Sequence, residues 1–257
     1  MNMKTIRGVL AKIYRSIVPR DTQTPVHKFD QGMILASFPK SGRTWLRVML
    51  NQLGIEIPIT HDGSAHVLAI PYQKLIKNKR KYKNVKLIFL VRDPRDVVVS
   101  GFFQASKRTK VYERSIAEFI RDPRHGIQKI LTFYNIWDRN KHKAAGFHLL
   151  RYEDLKKNTF VELKRAVEFL DVDGIDDKAI EGAVEFGSFE NMQKREKEGY
   201  FKEKYGRGLT PGDKNDTESF KVRKGKVGGY TEYLSDEDVE YCNEMIRKLG
   251  NPFYPGE

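Results

Sequence analysis

Apolar residues fall along the chain in two alternating rhythms. Nearly continuous runs at Met33 to Ser37 and Val85 to Val91 read as strands covered on both faces, and Gly146 to Tyr152 reads as a third. Between and after them, apolar positions recur three and four apart. Leu46 to Leu53, Val97 to Ala105, His125 to Arg139, Leu155 to Leu170 and Asp177 to Phe186 therefore read as helices. A last helix is framed by Ser235 as its N-cap, three acids in its first turn and Gly250 just past its end. The alternation predicts an α/β fold, a mostly parallel central sheet with helices on both faces. With no internal repeat and no linker, residues 1–257 are expected to form one domain.

Two stretches depart from this rhythm. Within residues 1–20, Ile6, Val9, Leu10, Ile13 and Ile17 share one helical face, with Arg7, Lys12 and Arg15 off it. This basic amphipathic helix reads first as packed on its own domain. Residues 5–18 are also of the kind that lies on an anionic membrane surface. The segment lacks the apolar core and cleavage site of a signal peptide, and no stretch is apolar enough to cross a bilayer. A soluble, cytoplasmic protein is expected, with peripheral membrane contact as the secondary option. Residues 193–230 are rich in Lys and Gly and too long for an ordinary connection, so they read as a functional lid or a partly disordered loop.

Charge narrows the partners. Lys and Arg number 47 against 34 Asp and Glu, a net charge of +13 that favours an anionic ligand. The single Cys242 excludes an intrachain disulfide framework. No cluster has metal-ligand spacing, so no metal is expected. No nucleic-acid motif or aromatic-interleaved basic patch is present, so no nucleic-acid partner is expected.

Three constellations carry the chemistry. "FPKSGRTW", residues 38 to 45, lies between a strand and a helix, where backbone N–H groups can cradle a phosphate while Lys40 neutralises charge and Ser41 and Thr44 donate. Pro39 stands where a Walker A loop needs glycine, and Gly42 follows the lysine instead. In "RDPRDVVVSGFF", Arg92 ends the best strand and Ser100 lies two turns into the next helix, both able to meet an anion at the sheet edge. The plainer reading pairs Arg92 with Asp93 or Asp96. In "VRKGKVGGY", Arg223 and Lys224 precede Gly225, where backbone can approach a ligand closely, or form a solvated basic loop.

Together these motifs resemble the sulfotransferase family, enzymes that use 3′-phosphoadenosine 5′-phosphosulfate (PAPS). "FPKSGRTW" resembles the family's 5′-phosphosulfate loop, "RDPRDVVVS" its 3′-phosphate strand and helix, and "VRKGKVGGY" its late RKGxxGDW motif. "RYEDL" and "GSFENM" resemble its YEDL and TSFxxM. The resemblance implies a P-loop-like fold and transfer of the sulfuryl group of PAPS to a hydroxyl or amine, with PAP as product and no metal. It implies that Lys40, Ser41, Gly42, Arg43, Thr44 and Trp45 surround the 5′-phosphosulfate. Arg92, Ser100, Arg223, Lys224 and Gly225 would take the 3′-phosphate, and Tyr152, Ser188 and Phe189 would lie around the adenosine.

Catalytic duty falls to Lys40, to Ser100 and to a base, for which His61 matches the family's histidine in position. His66 and Asp62 are the alternatives. Arg43 replaces a Thr, Gly187 replaces the Thr of TSF, and Gly229 and Tyr230 replace Asp and Trp. The family's C-terminal dimerisation motif is not recognisable, so a homodimer is not supported and the oligomeric state stays open. The acceptor can be a small molecule, glycan, lipid headgroup or peptide. Two other functions compete: an ATP- or GTP-dependent P-loop kinase, and a basic nucleotide- or membrane-binding module without catalysis.

Overall fold

The computed structural model describes residues 32–65 and 69–254. The basic segment 5–18 and His66 lie outside the described residues. Four parallel strands form one sheet in the order β2-β1-β3-β4, with β1 Met33–Ser37, β2 Ile59–Thr60, β3 Lys86–Val91 and β4 Gly146–Arg151. Leu35 pairs with Ile59 on one side and Ile88 on the other, and Leu90 pairs with Leu150.

Why these runs are continuously apolar is visible in the core. Ile34, Ala36, Leu87, Phe89 and Val91 point into one apolar cluster, while Leu35, Ile88 and Leu90 point into another on the opposite face. A strand covered twice has no polar face. Helices supply both covers. On the Leu35 side pack α1 (Arg43–Gln52), α6 (Thr159–Phe169) and α7 (Asp177–Phe186). On the Phe89 side pack α2 (Pro94–Phe103), α3 (Ile116–Arg121), α4 (Ile127–Asn140) and α10 (Asp236–Leu249). The remaining helices are α5 (Tyr152–Lys157), α8 (Phe189–Glu198) and α9 (Lys202–Tyr205).

Helix ends follow local chemistry. The Asp93 side chain accepts from the Arg95 N–H and Pro94 opens α2, so that helix starts at the strand's edge, three residues before the apolar run. Ser235 caps α10 through the Asp238 N–H, as its sequence predicts. Leu155 to Leu170, expected as one helix, is two. Asn158 leaves helical geometry and its side chain accepts from the Val161 N–H, which ends α5 and starts α6. β2 escapes sequence reading because two residues carry no periodicity.

The segment 193–230, expected as a lid or a partly disordered loop, carries helices and turns of its own. It is not a structureless connection: α8 runs to Glu198, α9 follows, and its own Phe201, Tyr205, Leu209 and Phe220 are buried. Those anchors sit on successive short turns, so their spacing follows neither helical nor strand periodicity.

Candidate active site

The first loop, the end of β3 and the late basic loop meet over the C-terminal edge of the sheet and line one cavity. Its walls include Lys40, Gly42, Arg43, Thr44, Trp45 and His61 from the first part of the chain. Arg92, Asp96 and Ser100 come from β3 and α2, Tyr152 and Lys156 from α5, Gly187 and Phe189 from the turn into α8, and Arg223 to Lys226 from the late loop.

Two glycines make the close approaches. Gly42 sits at φ 96°, and a Cβ there would lie 2.6 Å from Cδ2 of Tyr152. Gly225 sits at φ 58°, and a Cβ would lie 2.7 Å from Cδ2 of Phe189. Both loops are thus glycine-dependent where they pack on the cavity's aromatic rings. The Arg92 guanidinium stacks 4.4 Å above the Tyr152 ring, and Trp45 meets the same ring edge-on at 5.8 Å. Trp45 Nε1 donates to the Gly187 carbonyl at 2.7 Å. Gly187 stands in place of threonine for a steric reason, since a Cβ there would lie 2.6 Å from Cγ of Met49.

Arg92 takes Asp96 as its partner, the plainer of its two readings, and also lines the cavity. Nη2 donates to Asp96 Oδ2 at 3.1 Å and to the Lys226 carbonyl at 2.8 Å, while the residue lines the cavity. Its backbone is fixed by Tyr134, whose hydroxyl receives the Arg92 N–H at 3.1 Å and donates to the Arg92 carbonyl at 2.8 Å. One residue on, the Asp93 N–H donates to Glu153 Oε1 at 2.9 Å, and the Tyr254 hydroxyl donates to Oε2 at 2.6 Å. Burial pushes the Glu153 carboxyl upward.

Lys40 has an unusual setting. Its φ of 73° is left-handed for a non-glycine residue, and Nζ donates to Gln104 Oε1 at 3.2 Å. Burial pushes its pKa well below the usual lysine value, and Lys221, Arg108 and Arg223 push it further down against the opposing pull of Glu196. A half-buried lysine ringed by cations is a site short of negative charge.

His61 is oriented by two contacts. A guanidinium can only donate, so the 2.9 Å contact from Arg43 Nη2 makes Nε2 the acceptor. Nδ1 then carries the hydrogen and donates to the Ser37 carbonyl at 3.1 Å. Asp62 turns away into a buried cluster: Lys79 pairs with it, Lys81 lies 2.9 Å from Oδ1, and the Tyr82 hydroxyl donates to it at 2.9 Å. Its oxygens are thus occupied, and Asp62 has no share in the cavity wall. Ser188 and Ser41 also stand off the wall. Ser188 accepts from the Asn191 N–H as the cap of α8, and Ser41, within the first loop, is fully buried.

Sequence reading missed Lys156, Lys221, Asp96 and Glu196. Lys156 Nζ lies 5.8 Å from the Trp45 ring and 5.9 Å from the Phe189 ring. Only Asp96 left a trace, as the partner weighed for Arg92. Among the described residues, no group of three or more His, Cys, Asp or Glu side chains is placed to hold a metal, and no helix is long and apolar enough to cross a membrane.

A model of the sulfotransferase domain matches residues 70–251, and the chain belongs to that family. It is a PAPS-dependent sulfotransferase that moves a sulfuryl group from PAPS to an acceptor. Cytosolic sulfotransferase 12 of Arabidopsis thaliana is 26% identical to it over 265 residues, covering 85% of this chain and 77% of the relative. Flavonol 3-sulfotransferase of Flaveria bidentis is 25% identical over 266 residues, covering 85% and 81%. In fold, the chain is similar to a mouse sulfotransferase complexed with PAP (TM-score 0.62, 21% identity, covering 84% of this chain and 83% of that one). It is similar also to retinol dehydratase in complex with androsterone and inactive cofactor PAP (TM-score 0.62, 16% identity, 88% and 83%). The cation-lined wall with its aromatic rings fits an anionic nucleotide such as PAP.

Proposed function

We propose that the acceptor is a small molecule bearing a hydroxyl or amine, and that Lys40 and His61 act on the transfer. The observation that supports this best is the single cavity containing Lys40, Arg92, Arg223 and His61 together. PAPS supplies the activated sulfuryl group. In-line transfer between two oxygens leaves the protein mainly positioning and charge stabilisation to perform. Lys40 is assigned the charge that grows on the departing 5′-phosphate. Arg92, Ser100, Arg223, Lys224 and Gly225 are assigned the 3′-phosphate, and Tyr152 and Phe189 the adenosine. Ser100, which lines the same cavity, keeps its proposed catalytic part beside that 3′-phosphate contact. His61, with its proton on Nδ1, takes the acceptor's proton at Nε2 once Arg43 turns to the incoming anion. The relatives that are flavonol sulfotransferases favour a small hydroxylic acceptor over a glycan or lipid.

The first experiment is the shift in melting temperature with PAP, 5′-AMP and Mg·ATP at equal concentration, since a ligand that binds only the folded state raises stability without any acceptor present. A larger shift with PAP than with 5′-AMP is expected. A shift with Mg·ATP alone would overturn the site assignments.

A further inference from the structure

The late basic loop has reasons to be loose. Lys221, Arg223, Lys224 and Lys226 repel one another, Gly225, Gly228 and Gly229 add backbone freedom, and no strand or α-helix runs between Lys221 and Tyr230. It is nevertheless held at both ends by carboxylates. Glu196, fully buried on α8, accepts the Lys221 N–H on Oε1 at 2.7 Å and the Val222 N–H on Oε2 at 2.8 Å. Asp96 on α2, also buried, accepts the Gly228 N–H on Oδ2 at 3.0 Å and the Tyr230 N–H on Oδ1 at 3.0 Å.

Each carboxylate spends both oxygens on main-chain amides of this loop. The loop's side chains are held differently, Arg223 by Glu218 at 2.9 Å and Lys224 by Glu232 at 2.6 Å. Those pairs can exchange for a phosphate while the backbone stays fixed. Charge alone gives no reason for acids here. A negative group beside Arg92, or acting on Lys40 as Glu196 does, opposes an anionic ligand. The amide bonds supply the missing reason, because charge-assisted hydrogen bonds to buried N–H groups are among the stronger ones.

We propose that Glu196 and Asp96 are positioning residues, two clasps that hold the 3′-phosphate loop in its binding shape before the nucleotide arrives. This rests on the assignment of that loop to the 3′-phosphate. A preformed loop avoids the ordering cost that a loose loop would meet on binding.

Glu196→Gln and Asp96→Asn keep size and remove charge, so simple electrostatics predicts tighter PAP binding and the clasps predict weaker binding. In the nucleotide-free protein, amide hydrogen exchange should quicken by about tenfold or more at residues 221 and 222 in E196Q and at 228 and 230 in D96N, with β1 and β3 unchanged as the check of folding. PAP affinity should fall about tenfold, while 5′-AMP, lacking the 3′-phosphate, changes less than about threefold. If D96N does not fold, Asp96→Glu displaces the same oxygens by a methylene and should quicken exchange at the same two amides. Unchanged exchange at those amides, tighter PAP binding, or equal losses for both nucleotides would overturn the clasps. If the wild type binds PAP no better than 5′-AMP, the loop's assignment fails instead, and the exchange data still decide whether the carboxylates hold it.

Discussion

Lys40 concentrates the chemistry of this site in one side chain. Holding a non-glycine residue at positive φ costs about 1 kcal/mol or more, and partly burying an ammonium among cations adds to that. Both costs suit a residue whose partner is a strong anion. Because burial and cationic neighbours depress its pKa, the free protein binds fewer protons than the unfolded chain does between the depressed value and 10.5, so folding stability rises with pH across that window. A bound anion reverses the shift. PAP binding should therefore take up a proton in the same window and weaken as pH rises through it. Calorimetry in buffers of different ionisation enthalpy would detect that uptake, and Lys40→Met should abolish it. We expect the same variant to lose about 100-fold or more in turnover, with a smaller loss in PAP affinity, because its interaction grows with charge in the transition state. Turnover within about threefold of wild type would remove Lys40 from the mechanism.

At the scale of elements, the site is a set of ends: the C-terminal ends of three strands and the helix starts that follow them. A cap written in the sequence is legible, as Ser235 before α10 illustrates, whereas Asp93 before α2 emerged only in the structure. Contacts between elements are not legible. Gly187 reads as a lost hydroxyl, whereas its position is fixed by Met49 of α1, and its carbonyl holds the Trp45 indole. Gly187→Ala should cost about 1–3 kcal/mol by overpacking and weaken nucleotide binding through a displaced Trp45. Adding Met49→Ala should make the glycine substitution less harmful than it is alone, a coupling that a double-mutant cycle measures. Purely additive losses would show that α1 and the turn before α8 do not meet as described.

For the whole molecule, a net charge of +13 and the convergence of cations on one cavity predict that PAP affinity falls with salt, by several-fold between about 0.05 and 0.5 M, as screening lengths shrink. An affinity indifferent to salt would mean that the cations act only at contact distance. Three of the four strands and most of the longer helices could be read from the chain, as could the three motifs that line the cavity, because each depends on residues close in sequence: an apolar run, a cap, a lysine near a glycine. Tertiary structure decided the rest. It turned Asp62 into a buried partner of Lys79 and Lys81, left His61 to meet Arg43, moved Ser188 to a helix cap and folded residues 193–230 over apolar anchors. It also brought Glu196 and Asp96 to opposite ends of a single loop, 25 and 132 residues away along the chain from the first amide each accepts. A short-range pattern records what a residue does with its neighbours in sequence, and a buried carboxylate's partners are settled only when the fold closes around it.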